Sequence, residues 1–115
     1  MNKRSLRQTA AYFAAVTGTD AVLAPVAPMP APSIAESDVG NSTNAEAVIQ
    51  RITKFTRPIN YLGLPSLSIP TGFTKSGLPV GMQLVGRAFD EATLIRIGAA
   101  FQRATDYHAK VPTLT

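Results

Sequence analysis

The stretch GLPSLSIPTGFTKSGLPVGMQLVG, residues 63–86, sets five glycines and three prolines in and around two apolar runs, SLSI and VGMQLV. Proline removes a donor from a sheet ladder, and glycine weakens a strand interior unless something must approach the backbone closely. The runs therefore read as strands over 66–69 and 79–85, with Pro70 and Pro79 at strand ends and a turn at Ser76-Gly77 between them. Gly63, Gly72, Gly81 and Gly86 leave room for a helix, a second backbone or a ligand. Strands of this kind suit the interior of a sheet covered by helices on both faces, an α/β layer pattern.

The flanking segments supply helices and one more strand. Leu6, Ala10, Phe13 and Val16 recur at helical spacing, so residues 2–17 read as an amphipathic helix stopped by Gly18. DAVLAP, residues 20–25, is short, apolar and closed by proline, as a buried strand would be. The four prolines in residues 25–37 forbid a ladder or a helix there, while Val26, Met29 and Ile34 are apolar enough to lie against the body of the protein. Thr43 and Glu46 have capping-box spacing ahead of a helix whose apolar face is Ala45, Val48, Ile49, Ile52 and Phe55. Pro58 is expected to end that helix near Thr56. Asp90 is placed to cap a last helix running to about Tyr107, with His108 at its C-terminal end as a cap or packing residue.

Composition narrows the function classes. At 115 residues the chain has room for one domain, and a hydrophobic content of 45% against 16% charged residues implies more hidden surface than a small lone globule holds. With no cysteine there is neither a disulfide framework nor a thiolate metal site, and one histidine cannot build a metal cluster. The net charge of +4 falls in small groups, Lys3, Arg4 and Arg7, then Arg51, Lys54 and Arg57, without interleaved aromatics, so solvated helix faces are expected rather than a nucleic-acid surface. The basic start resembles a secretory leader only superficially, because Gln8 and Thr9 interrupt the apolar run. Asn41-Ser42-Thr43 fits a glycosylation acceptor and means little without such a leader. No segment is long enough for a membrane span, and the expected compartment is the cytoplasm.

The order of motifs carries a resemblance. DAVLAP, a proline-rich segment, FTRPINYLGLPSLSIPTG, GLPVGMQLVG and FDEATLIRIGAAFQ together resemble the C-terminal part of the amidase signature family. Asn60, Gly63, Pro65, Pro70, Gly72, Gly77, Pro79, Gly81 and Gln83 fall where that family has such residues. The resemblance implies the C-terminal part of an α/β/α layered fold with a mixed sheet, so that residues 1–115 form a single, incomplete amidase domain. It implies a hydrolase of carbon-nitrogen bonds in amides that uses a serine nucleophile, a second serine with a cis peptide bond and a lysine base. Those groups lie in a glycine- and serine-rich stretch and the N-terminal half of the family, and this chain has no such stretch.

No catalytic residue, cofactor or metal is therefore expected here. Ser66 and Ser68 near Lys75 could form a local Ser-Lys pair only if burial lowered the lysine's proton affinity, and a turn lysine stays solvated. The resemblance instead implies a wall of the substrate pocket, built by Gln50, Thr53 and Arg57 on one helical face; an ordinary solvated face is the alternative. Glutamine-hydrolysing members resemble one another in an acidic residue at the position of Thr53, so threonine argues against a glutamine substrate, and Val26 replaces the threonine of the family's P-T-x-P segment. The expected partners are a small amide substrate in the full-length enzyme and an N-terminal amidase segment or a second copy, with neither nucleic acid nor membrane. A self-associating binding or structural module is the competing reading.

Overall fold

A computed structural model describes residues 3–113. The first helix, α1, spans Lys3–Ala15 and gives way to a turn in which Gly18 takes φ 86°. Asn2, the first residue of the expected helix, lies outside the described residues. Phe13 and Val16 are half-buried while Leu6 is exposed, so the apolar face engages only near its C-terminal end. Strand β1, Val22–Pro25, follows.

After β1 the proline-rich stretch stays irregular until Ser33, where a true capping box opens the short helix α2, Ile34–Ser37. The Ser33 N–H donates to Glu36 Oε2 at 2.9 Å and the Glu36 N–H to Ser33 Oγ at 3.2 Å. Val26 and Met29 lie half-buried as expected, but Ile34 is 88% exposed. The box expected at Thr43 and Glu46 does not form: the next helix, α3 (Ala45–Ile52), has Asn44 at its cap position without a side-chain cap bond, and Glu46 accepts from Gln50 Nε2 instead.

Pro58 acts upstream of the point at which the sequence pattern places its effect. It has no N–H for the carbonyl of Lys54, and its ring would crowd that carbonyl, so the helix breaks over 53–55 and resumes as α4, Thr56–Leu62, with Pro58 in the first turn. There a missing N–H costs no intrahelical bond. Gly63 ends α4 at φ 68°, a left-handed conformation in which a β-carbon would be strained.

Strands β2 (Ser66–Phe73) and β3 (Pro79–Val85) form a hairpin, and the sheet order is β1-β3-β2 with both pairings antiparallel. The described part of the sheet is thus antiparallel. Strand β2 runs four residues past the expected end: Pro70 sits inside it, facing Gly81, next to a register irregularity between Pro70 and Gly72. An edge strand with a bulge tolerates such a proline. Among the described residues only β3 is interior; β1 and β2 are both edges, and Leu23 of β1 is 60% exposed rather than buried.

Helix α5 covers one face of the hairpin. It spans Glu91–Ala104, ending before Tyr107, and its Leu94 packs with Ile69 and Leu84, flanked by Leu67, Met82, Ile97 and Phe101. Gly81 and Gly86 serve close approach as expected: a β-carbon on Gly81 would lie 3.0 Å from the Ile69 carbonyl oxygen, and one on Gly86 would lie 3.1 Å from Leu94. Asp90 occupies the cap position of α5, but its carboxylate accepts from the Thr93 hydroxyl at 2.8 Å and caps no backbone N–H. A 3-10 turn, Tyr107–Ala109, is the last element of the described chain.

The opposite face of the sheet is only partly covered. Tyr12 and Phe13 of α1, with Val16 just beyond it, line a small crevice together with Val22 and Val85, while Ser66 and Ser68 stay exposed. The molecule measures 47 × 40 × 19 Å, and a thickness of one helix plus the spacing to a sheet is roughly 20 Å. Its radius of gyration is 16.6 Å, against about 13 Å for a compact domain of this length. The chain is a thin, open slab.

Candidate functional site

Polar chemistry in the interior centres on Gln83, which is 3% exposed. Alternation along β3 turns it away from α5, onto the face shared with Ser66 and Ser68. Its amide Nε2 donates to the Pro25 carbonyl at 2.9 Å and to the Phe55 carbonyl at 3.2 Å, while its Oε1 accepts from Ser66 Oγ at 3.0 Å. One side chain therefore joins the end of β1, the break between α3 and α4, and the start of β2. A buried amide needs such partners, because an unpaired one would lose its hydration without replacement. The sequence signal is a lone polar residue within VGMQLV. Its position in a family motif is legible there, whereas its bonding role is not.

The three residues expected on a pocket wall end up on different elements. Gln50 is exposed on α3 and bonded to Glu46. Thr53 is half-buried at the C-terminal cap of α3, where its hydroxyl donates to the Ile49 carbonyl at 2.8 Å. Arg57 belongs to α4, beyond the break, so the three do not share one helical face. The cause is the Pro58 break. Arg57 instead lines an open cleft of about 410 Å³ between α1 and α4, together with Arg4, Gln8, Pro58 and Tyr61.

Ser66, Ser68 and Lys75 do not come together as nucleophile and base. Ser66 Oγ is bound to an amide oxygen, which cannot accept a proton at neutral pH. Lys75 lies in the turn beyond the far end of β2, and that end, Phe73, is already roughly 23 Å along the strand from Ser66 and roughly 17 Å from Ser68 at the usual rise per residue. Either gap is several lysine side chains long. Among the described residues no group of three or more His, Asp or Glu could hold a metal ion, and no helix is long and apolar enough to cross a membrane.

This arrangement, a sheet buttressed on one face with a polar knot in its interior, corresponds to a part of known proteins. The family model for amidases matches residues 1–95. The chain belongs to the amidase family. A glutamyl-tRNA(Gln) amidotransferase subunit from Levilactobacillus brevis is 46% identical over 103 residues, which are 90% of this chain and 20% of the relative. The same subunit from Roseiflexus sp. is 46% identical over 104 residues, with the same coverage.

Solved structures agree. The crystal structure of the corresponding glutamyl-tRNA(Gln) amidotransferase subunit from Thermotoga maritima superposes with a TM-score of 0.75 at 30% identity, covering 91% of this chain and 22% of that one. A crystal structure of an amidase gives a TM-score of 0.62 at 27% identity, covering 90% of this chain and 26% of that one. The chain spans about a fifth of the length of the curated relatives it matches, so it is a partial segment of an amidase.

Proposed function

We propose that the protein is the C-terminal segment of an amide hydrolase, supplying sheet strands and a substrate-pocket wall to an enzyme whose serine and lysine groups lie on the remaining four fifths. The observation that carries this reading is the match of residues 1–95 to the amidase family at about a fifth of its relatives' length. The separation of Ser66 and Ser68 from Lys75 supports the assignment of catalysis to another segment. The same reading assigns the protein to the cytoplasm, with an N-terminal amidase segment as its partner and a small amide as the substrate of the joined enzyme.

Within that wall, Thr53 and Arg57 flank the break between α3 and α4, and Gln50 lies one turn before it. Thr53 offers a hydroxyl already bonded to Ile49 and no negative charge, so the favoured amide carries no ammonium group beside it. Two of the relatives named above are glutamyl-tRNA(Gln) amidotransferase subunits, which offers a host for testing the distinction. A chimera in which this chain replaces the matching fifth of such a relative should hydrolyse simple aryl amides, and Thr53→Asp should shift its preference towards glutamine. An inactive but folded chimera would sink the assignment. The 115-residue chain alone should show no turnover; turnover abolished by Ser66→Ala or Ser68→Ala would equally overturn it.

A second reading, self-association, is favoured by the exposed Leu23, Phe73 and Ile95 and by two open sheet edges. Sedimentation equilibrium distinguishes a discrete dimer from a monomer.

A further inference from the structure

Among the described residues one side chain other than glycine sits on a backbone of positive φ: Phe89, at 63°, in the turn that joins β3 to α5. It is the third residue of a four-residue turn closed by the Asp90 N–H, which donates to the Arg87 carbonyl at 3.1 Å. With a positive φ that position ordinarily takes glycine or asparagine, because a β-carbon there crowds the following carbonyl oxygen. A bulky ring is the unfavourable choice. Nothing within the described chain offsets the strain, since the side chain is 94% exposed and so removes almost no apolar area from water.

The turn is held from both sides. The Gly86 N–H donates to the Pro65 carbonyl at 3.0 Å, the Arg87 guanidinium donates to the Thr19 carbonyl at 2.8 Å, and the Asp90 carboxylate accepts from the Thr93 hydroxyl at 2.8 Å. Strained backbone persists where its surroundings over-determine it, so the stem beneath the ring is fixed before any contact forms. At the same corner Pro65, Leu67, Leu94 and Ile95 line an apolar crevice of about 260 Å³, and Ile95 is 61% exposed. A preset aromatic beside an apolar hollow has the make-up of an interface centre, where a few buried aromatic anchors carry most of the binding energy.

We propose that Phe89 is the anchor by which this chain docks onto the N-terminal amidase segment, its ring entering an apolar pocket of that segment. The inference rests on the reading above, in which that segment is the partner. Length argues for this occupant: the chain covers 22% of the Thermotoga subunit it superposes on, so a partner of that kind has nearly four fifths of its own length with which to cover this corner. Burial of the ring there offsets the backbone strain that the 115-residue chain bears alone.

The test compares one substitution in two settings. Phe89→Gly removes both ring and strain, so in the 115-residue chain it should raise Tm by about 4 °C. In the chimera described above, where this chain replaces the matching fifth of the Levilactobacillus subunit, it should lower Tm by at least about 2 °C, because a buried ring is lost. Phe89→Leu keeps the strain and much of the apolar bulk; it should leave the isolated chain within about 1 °C of the parent and lower the chimera's Tm less than glycine does. A lower Tm for Phe89→Gly in the isolated chain would show that the ring supports its own fold, and would overturn the proposal whatever the chimera does. An unchanged or higher Tm in the chimera would overturn it too, as would a parent dimer that Phe89→Gly dissociates, since the ring would then belong to a second copy. Tm is read with or without turnover, so a folded but inactive parent chimera would refute the hydrolase reading while the contact is still decided by its own result.

Discussion

Replacing Gln83 by methionine isolates the polar knot from simple packing. Methionine nearly matches glutamine in length and volume, so the cavity term is small. What disappears is the pair of bonds from Nε2 to the Pro25 and Phe55 carbonyls and the bond accepted from Ser66 Oγ. A neutral hydrogen bond contributes roughly 1 kcal/mol net, which gives about 3 kcal/mol for three. Methionine's greater preference for a buried site returns part of that, because it sheds the desolvation of an amide, leaving an expected loss of about 2 kcal/mol. The assay is urea unfolding followed by circular dichroism, with an unchanged m-value as the sign that the folded and unfolded ensembles are comparable. Ser66→Ala, which removes one bond of the three at an exposed serine, should cost less than about 1 kcal/mol on the same scale. A methionine variant within about 0.5 kcal/mol of the parent would refute the view that this side chain fastens β1, β2 and the helix break together.

Other perturbations test separate parts of the structure. The Tyr12 hydroxyl is buried with no hydrogen-bond partner among the described residues, and its burial pushes the phenol's pKa up. Tyr12→Phe should therefore raise stability by about 1 kcal/mol, read as a higher Tm, and the parent's own stability should fall as pH rises through the ordinary tyrosine range while the variant's does not. Gly81→Ala should destabilise by about 1–2 kcal/mol, because its β-carbon meets the Ile69 backbone at 3.0 Å and backbone cannot rotate aside; equal stability by urea titration would contradict that. Asp106 is held below the usual carboxylate range first by the hydrogen bond from Lys110 and then by its charge, and Lys110 is raised by the same two causes. Their mutual support should be complete between the ordinary carboxylate and ordinary lysine values, fail in acid as Asp106 protonates below its usual range, and fail in alkali as Lys110 loses its proton above its own. In Lys110→Gln the carboxyl ¹³C midpoint of Asp106 should move up, and no movement would discount the pair.

Element identities are legible in the sequence wherever local chemistry and periodicity agree. Strand β3 lies at the expected residues, and α1 and α5 lie close to theirs. The departures share a physical cause: a residue acts at a distance that one-dimensional pattern does not encode. Pro58 breaks the chain at the carbonyl four residues before it, which splits the expected helix and moves Arg57 away from Gln50 and Thr53. Pro70 has the pattern of a terminus because a lone proline stops a central strand, yet β2 is an edge and carries on past it through a bulge. The capping signal at Thr43 and Glu46 is the right pattern in the wrong place, since Ser33 and Glu36 present the same spacing and make the bonds. The family is legible because several glycine- and proline-marked motifs recur in one order, whereas the Gln83 knot is not, because its partners lie 17, 28 and 58 residues away in sequence.

The proline inside β2 sets how far that side of the sheet can be extended. An incoming strand could hydrogen-bond along residues 66–69 and would then meet a position with no N–H to share, followed by a twist in the backbone. On the β2 side the uninterrupted margin is thus four residues long, Ser66 to Ile69, before the proline breaks it.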